Sequence, residues 1–335
     1  MHPSHEWLTI DASTVVKEVA AGLRSHLGDS LKRRGFVVAM SGGVDSSVAA
    51  GLAVEAVGPR RVFGLFMPER DSDPQSLELA REWAEKLGIE YTVEDIAGPL
   101  DALGCYQRRD AAIRRVVPEY EGGWKSKIVL PGNRLDSDRL NTYSVVVESP
   151  DGVQSTHRLP PAEYREIVAS TNFKQRVRKT MEYFHADRLH YGVVGTPNRL
   201  EYDQGFFVKG GDGLADVKPI AHLYKTQVYQ LAHALGVPSG VTDRPPTTDT
   251  YSLPQSQEEF YFTLPARTMD LVLYAHNRGM DAREAAGALG MKEDQVQRAF
   301  REISQKRVTT RYLHLSALLV EPVDEIRIHS EPVVG

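Results

Sequence analysis

Apolar positions in the first part of the chain fall into two alternating patterns, one near helical spacing and one of short continuous runs. In "STVVKEVAAGLRSHLGDSLKRR", Val15, Val16, Val19, Leu23 and Leu27 lie near helical spacing, and Gly35 stops the pattern. Residues 36–40 then predict a first strand. A helix is expected from about Asp45 through "SSVAAGLAVEAV", ended by Gly58 and Pro59, before the apolar run "RVFGLFMP". "DPQSLELAREWAEKLG" carries Leu77, Ala80, Trp83, Ala84 and Leu87 on one helical face, and "IEYTVEDI" predicts a third strand. Strands alternating with helices of this length indicate βαβ units and a parallel sheet, because parallel neighbours need a crossover.

Further along, "KIVLPG" and "NTYSVVVESPDGVQSTHRLP" are β-rich runs around a "PDG" turn, which predicts an inserted β-hairpin at about residues 118–165. Helical pattern resumes in "NFKQRVRKTMEYFHADRLH", "YGVVGT" is a buried strand, and "KTQVYQLAHALG" is a helix followed by the proline-rich "VPSGVTDRPPTTDTYSLPQSQ". The fold class expected is α/β: a Rossmann-like doubly wound parallel sheet with flanking helices, the inserted hairpin and C-terminal helices. Residues 1–265 are read as the α/β domain and 266–335 as a helical segment packing on it. "AREAAGALGMKEDQVQRAF" has the outline of a helix-turn-helix, but a packing pair with a glycine turn is the favoured reading.

Composition narrows the function classes. The formal net charge is -5, which argues against a general nucleic-acid binder. Cys105 is the single cysteine, so one chain can form neither an internal disulfide nor a cysteine metal cage. It is expected as a buried structural residue. The histidines show no H-E-x-x-H pairing, so no zinc site is expected. With no basic-then-apolar signal pattern and no apolar run of spanning length, a cytoplasmic protein without membrane or nucleic-acid partners is expected.

The chemistry concentrates in "VVAMSGGVDSSVAAGLAVEA", residues 37–56, an apolar strand, two glycines with small polar residues, then a helix. It lacks the lysine of a Walker A loop, and its adjacent glycines do not fit the dinucleotide fingerprint G-x-G-x-x-G. Gly42 and Gly43 let the backbone turn sharply and approach a ligand, and the helix N-terminus favours an anion. Ser41, Ser46 and Ser47 add hydroxyls. Asp45 would repel a phosphate unless a divalent cation lies between, so an aspartate in an anion site predicts Mg²⁺.

The string S-G-G-x-D-S-S in this setting resembles the pyrophosphate loop (PP-loop) of the N-type ATP pyrophosphatases. The stretch "NFKQRVRKTMEYFHADRLHYGVVGTPNRLEYDQGFFVKGGDGLADVKPIAHLYKTQVYQLAHALGVP", continuing to "PPTTD", resembles the NAD synthetase family within them, and the resemblance covers most of the chain outside residues 118–165. It implies an amide-forming ligase that adenylylates the carboxylate of deamido-NAD⁺ with ATP, after which ammonia displaces AMP. Residue by residue it implies ATP contacts at Ser41, Gly42, Gly43, Asp45, Ser46, Ser47, Thr196, Lys225 and Thr247, and Mg²⁺ ligands at Asp45 and Glu201. It places deamido-NAD⁺ on Arg176, Lys209 and Asp216, and Gln305 and Lys306 stand where the family has a substrate-binding H-K pair. Asp45, Lys209 and Lys225 are the expected catalytic set, since the charge developing on pyrophosphate needs cations aimed at it. No protein nucleophile is required.

The chain departs from the resemblance on the substrate side: "TTDTYSLPQSQEEFYFTLP" replaces an acidic D-E-x-x-L-G stretch, Gln305 replaces a histidine, and the 118–165 insertion has no counterpart. An amide ligase acting on a different carboxylate and a non-catalytic nucleotide-binding protein are therefore kept as alternatives. The resemblance also implies a homodimer, and free ammonia or a separate glutaminase as nitrogen source, because no nitrilase-like half accompanies the synthetase part.

Overall fold

A computed structural model of the chain describes residues 6–130, 143–244, 250–255, 261–262, 264–323 and 325–326. Helix α1 (Ala12–Ser25) opens on Asp11, whose carboxylate accepts from the backbone N–H of Ser13 and Thr14. β1 (Phe36–Ala39), α2 (Val44–Val57), β2 (Val62–Phe66), α3 (Pro74–Leu87) and β3 (Glu90–Val93) then alternate as expected. α4 (Ala97–Ala102) and α5 (Cys105–Arg114) lead to the insertion, with β4 (Lys125–Val129), β5 (Ser144–Glu148) and β6 (Gln154–Arg158). α6 (Pro161–Leu189), β7 (Gly192–Val194), α7 (Arg199–Gln204), α8 (Lys225–Leu235) and α9 (Ser239–Thr242) follow, and α10 (Ala266–Asn277), α11 (Ala282–Leu289) and α12 (Glu293–His314) close the sequence of elements.

The main sheet has the order β3-β2-β1-β7, and all three pairings are parallel. Successive strand residues point to opposite faces. Phe36, Val38, Val62, Phe66 and Val194 join the cluster with α1, α2, α3 and α8, whereas Val37, Phe63, Leu65 and Val193 meet α4, α5 and α6. Helices thus cover both faces, which makes the sheet doubly wound. The short apolar runs follow from this, because a parallel strand buried on both faces gains nothing from alternation. α2 is buried nearly all round, as its alanine-rich sequence allows.

The insertion exceeds the expected hairpin. β5 and β6 pair antiparallel around the "PDG" turn, where Gly152 takes a φ of 80°, and β4 pairs with β5 from Lys125↔Glu148 to Val129↔Ser144. The result is a three-stranded sheet, because Ile128 on β4 must join Val145 and Val147 in burying one face against Ala112, Ile113 and Ile167. α6 is also longer than its sequence pattern suggests, starting at Pro161 with proline in its first turn and burying Ile167, Ser170, Thr171 and Lys174.

α11 and α12 meet at Gly290, which caps α11 in the left-handed conformation, and Ala285, Ala286 and Val296 pack with Ala275 of α10. That inward packing accounts for the helix pair. α10 rests on α7 and α8, and α12 on α7. Cys105 is buried, its thiol donates to Ser170 O at 3.2 Å, and burial raises its pKa. Among the described residues no helix is long and apolar enough to cross a membrane.

Candidate active site

The loop after β1 is shaped by Gly42. Its φ is 75°, and a Cβ there would lie 2.2 Å from Ser76 O on α3, so only glycine fits. Gly43 is the N-cap of α2, which aims the positive end of that helix at the loop. Ser46 Oγ accepts from Ser41 N–H at 3.2 Å and donates to Gly43 O at 3.0 Å. Gly42→Ala is expected to cost about 1–3 kcal/mol through clash and strain, read as a lowered melting temperature together with lost ATP affinity. Unchanged values for both would remove the loop from the site.

Asp45, on the first turn of α2, sits between two partners. Lys225 Nζ donates to its Oδ2, and Asn198 Nδ2 donates to its Oδ1 at 3.2 Å. Asn198 is 1% exposed and also caps α7. Its Oδ1 accepts from the N–H of Leu200 and Glu201, while its own N–H donates to Glu201 Oε2 at 3.1 Å. Through this capping box and its bond to Asp45, Asn198 links two carboxylates that lie far apart in sequence. "PNRLE" carries the N-x-x-E signal that could have singled out Asn198 from sequence.

Lys225 is the first residue of α8 and is 3% exposed. Burial opposes its charge, but the carboxylates of Asp45 and Glu201 outweigh that and hold its pKa above the usual lysine range. Asp270 of α10 fixes the start of α8: its Oδ2 accepts from Thr226 N–H at 2.7 Å and from Thr226 Oγ1 at 2.8 Å. Burial raises the pKa of Asp270 to about 6. Sequence reading missed Asp270, which lies in "RTMDLVLY" with nothing local to mark it.

The loop, Asp45, Glu201 and Lys225 line one cavity of about 540 Å³, a volume suited to small-molecule ligands. It brings together Ser41, Gly42, Gly43, Asp45, Ser46, Thr196, Glu201 and Lys225 with Arg176 and Lys209. Lys209 Nζ donates to the carbonyls of Tyr312 at 2.7 Å and Leu315 at 2.6 Å, at the end of α12, and Arg176 Nε donates to Lys209 O at 3.3 Å. Phe206 and Phe207 also line the cavity. Phe206 stacks on Tyr261 at 4.7 Å and Phe207 on Tyr202 at 6.1 Å.

Four residues singled out from sequence stand outside this lining. Ser47 is buried behind the loop, where its carbonyl accepts from Trp83 Nε1 at 2.9 Å. Asp216 accepts from Val193 N–H at 2.7 Å and from Tyr183 Oη at 3.2 Å. Lys306 donates to Tyr261 O at 2.9 Å and pairs with Glu302, and the carbonyl of Gln305 accepts from Thr309 Oγ1 at 3.1 Å. Thr247 lies outside the described residues.

A buried ionic network backs the cavity wall. Lys174 Nζ, on α6, donates to Glu69 Oε1, Asp71 Oδ2 and Thr250 O, each at 2.8 Å. Arg109 also donates to Asp71 at 2.6 Å. Burial works against the charge of Asp71, but Lys174 and then Arg109 hold its pKa down at about 2. Sequence reading missed this set too.

Asp45 and Glu201 are hard oxygen donors, and Mg²⁺ is commonly held by one or two carboxylates completed by phosphate and water. The pair fits that ion. Among the described residues there is no group of three or more metal-ligating side chains.

Residues 15–117 and 140–311 match the sequence model of the NAD synthase family. The chain belongs to that family. It is 58% identical over 323 residues to the NH(3)-dependent NAD(+) synthetase of Rhizobium meliloti (strain 1021), covering 96% of each chain. It is 54% identical to that of Mesorhizobium japonicum, with 95% of this chain and 99% of the relative covered. A more distant family member from Thermotoga maritima is 36% identical over 74% of this chain and 82% of its own.

Among solved structures, the fold is similar to an NMN synthetase from Francisella tularensis with a TM-score of 0.64 at 22% identity, covering 93% of this chain and 99% of that one. It is likewise similar to the NH3-dependent NAD synthetase from Campylobacter jejuni, with a TM-score of 0.60 at 19% identity and 93% and 100% coverage. These two likenesses concern the fold.

Proposed function

We propose that this chain is an ammonia-dependent NAD⁺ synthetase, which activates the carboxylate of deamido-NAD⁺ with ATP and exchanges the activated oxygen for nitrogen. The observation that carries the reading is the meeting, in one cavity, of the "SGGVDSS" loop, two carboxylates, Lys225, Arg176 and Lys209. Identity of 54% and 58% to curated enzymes of that name over nearly the whole chain supports it.

In the first step a carboxylate oxygen of the substrate attacks the α-phosphorus of ATP, the bond from that phosphorus to the bridging oxygen breaks, and pyrophosphate leaves. The negative charge on the leaving group calls for donors already in place. Ser41, Ser46 and the N-terminus of α2 supply them, exchanging their mutual hydrogen bonds for phosphate oxygens. Asp45 and Glu201 would hold Mg²⁺, which when bound neutralises phosphate charge. Lys225, whose pKa the carboxylates of Asp45 and Glu201 hold above the usual lysine range, offers a positive charge beside them.

In the second step the lone pair of ammonia attacks the acyl carbon, the carbon–oxygen bond to AMP breaks, and the nitrogen releases a proton to leave the amide. Lys209 has two of its three N–H donors on the carbonyls of Tyr312 and Leu315 and lines the cavity, so its third donor is the one assigned to substrate on this reading. Arg176 lines the same cavity, which supports assigning it to the anionic deamido-NAD⁺.

Purified protein given ATP, Mg²⁺, ammonium and deamido-NAD⁺ is expected to form NAD⁺, AMP and pyrophosphate in equal amounts. AMP release with another carboxylate but not with deamido-NAD⁺ would make it a different amide ligase; no ATP cleavage with any acceptor would make it a binding protein. The working unit is taken as a cytoplasmic homodimer fed by free ammonia. Light scattering checks the dimer, and turnover on glutamine only after a separate glutaminase is added would assign that partner.

A further inference from the structure

The reaction gives no task to the inserted sheet, and β4 lies within residues 118–139, outside the stretch that matches the family. β4 nevertheless makes a continuous set of bonds to residues 250–255, of which Thr250 and Tyr251 line the cavity. Ser126 N–H donates to Ser252 Oγ at 2.8 Å, and Leu253 N–H donates to Ser126 O at 3.2 Å. Lys127 Nζ donates to Pro254 O at 3.1 Å, and Gln255 Nε2 donates to Ile128 O. Tyr251 is 5% exposed and belongs to the same apolar cluster as Ile128, Val145 and Val147.

The other end of the segment is tied to the nucleotide side of the site. Thr250 O accepts from Lys174, whose partners Glu69 and Asp71 lie on the loop that leads into α3. Ser76 of α3 is the residue packed against Gly42, and Thr250, Tyr251 and Ser76 all line the cavity. We propose that the inserted sheet is a clamp: β4 holds residues 250–255 in place as a preformed wall of the ATP site.

The physical advantage is preorganisation. A segment without regular structure leaves its backbone groups to water and must be ordered when ligand arrives, which weakens binding. Supplying a strand that satisfies those groups beforehand moves the ordering cost from binding to folding. Ser126 and Ser252 are thereby positioning residues, acting through the wall they hold.

The choice of ATP as probe rests on the synthetase reading; the exchange measurement below does not. In Ser252→Ala/Gln255→Ala, amide hydrogen exchange across residues 250–255 is expected to rise about tenfold, with the melting temperature nearly unchanged. KM for ATP and the Kd of Mg-ATP are expected to rise about tenfold while kcat stays within about twofold. Gln154→Ala, on the exposed strand β6, is expected to change none of these.

Unchanged exchange in the double variant would overturn the clamp, as would faster exchange with unaltered ATP affinity, or an equal effect from Gln154→Ala. If the double variant does not fold, Lys127→Met decides by the same readouts, and wild-type values there overturn the proposal. Should the wild-type chain make no NAD⁺, the synthetase reading fails while exchange and Mg-ATP titration still decide the clamp.

Discussion

Asp45→Ala is expected to lower NAD⁺ formation by a factor on the order of 10³ or more, because one substitution removes a carboxylate proposed to hold Mg²⁺ and the partner of a buried cation. Asp45 Oδ2 accepts from Lys225 and Oδ1 from Asn198. Without it, Lys225 loses the largest of the groups that offset its burial, so its pKa falls and its charge at the site weakens. Truncating one member of such a buried pair typically costs about 3–5 kcal/mol, so thermal unfolding accompanies the kinetics. Asp45→Asn keeps the shape and the bond from Asn198 and is expected to be better folded but equally inactive. Full activity in either variant would refute the role of Asp45 in metal binding.

Asp270 governs the second large effect, which is on stability and its dependence on pH. Its folded pKa, raised by burial from 3.8 to about 6, means that the native state prefers the protonated carboxyl. A difference of that size corresponds to about 3 kcal/mol. Stability from this group is fully present below about pH 4 and is lost as pH rises through about 6. Asp270→Asn removes the titration, so the difference in unfolding free energy between wild type and variant is expected to shift across pH 4–6 and to be flat on either side. A difference that stays constant over that range would show that the carboxyl does not titrate as its burial requires.

Asp270→Ala should act differently from Asp270→Asn. It leaves the backbone N–H of Thr226 without its acceptor at the start of α8, at a cost of about 1–2 kcal/mol. Lys225, the next residue back, then loses its fixed approach to Asp45. Denaturation together with KM and kcat for ATP reads both consequences.

The main sheet was legible because β1, β2 and β7 are short apolar runs and α2 and α3 end on Gly58 and Gly88. α2 and the loop before it were legible for a sharper reason. The backbone there must turn at Gly42 within reach of Ser76, and the residues proposed to meet a phosphate follow one another in the chain. The insertion was only half legible: "PDG" announced the β5–β6 turn, but nothing local showed that β4 pairs beside them and reaches residues 250–255.

By itself the sequence determined that the chain folds as βαβ units, and it singled out the one strand-to-helix turn proposed for an anion, with the aspartate proposed to bring a cation there. Periodicity and glycine placement express local backbone and burial constraints, so they survive in one dimension. Only the tertiary structure decided which distant groups share the site. Asn198 joins Asp45 to Glu201, Asp270 seats Lys225, and Lys174 and β4 hold the wall near Thr250. Apart from the local bond between Asn198 and Glu201, these contacts pair a polar group with a partner far away in sequence, because burial leaves it little water to bond. That demand names the kind of partner required and leaves its place in the chain to the fold.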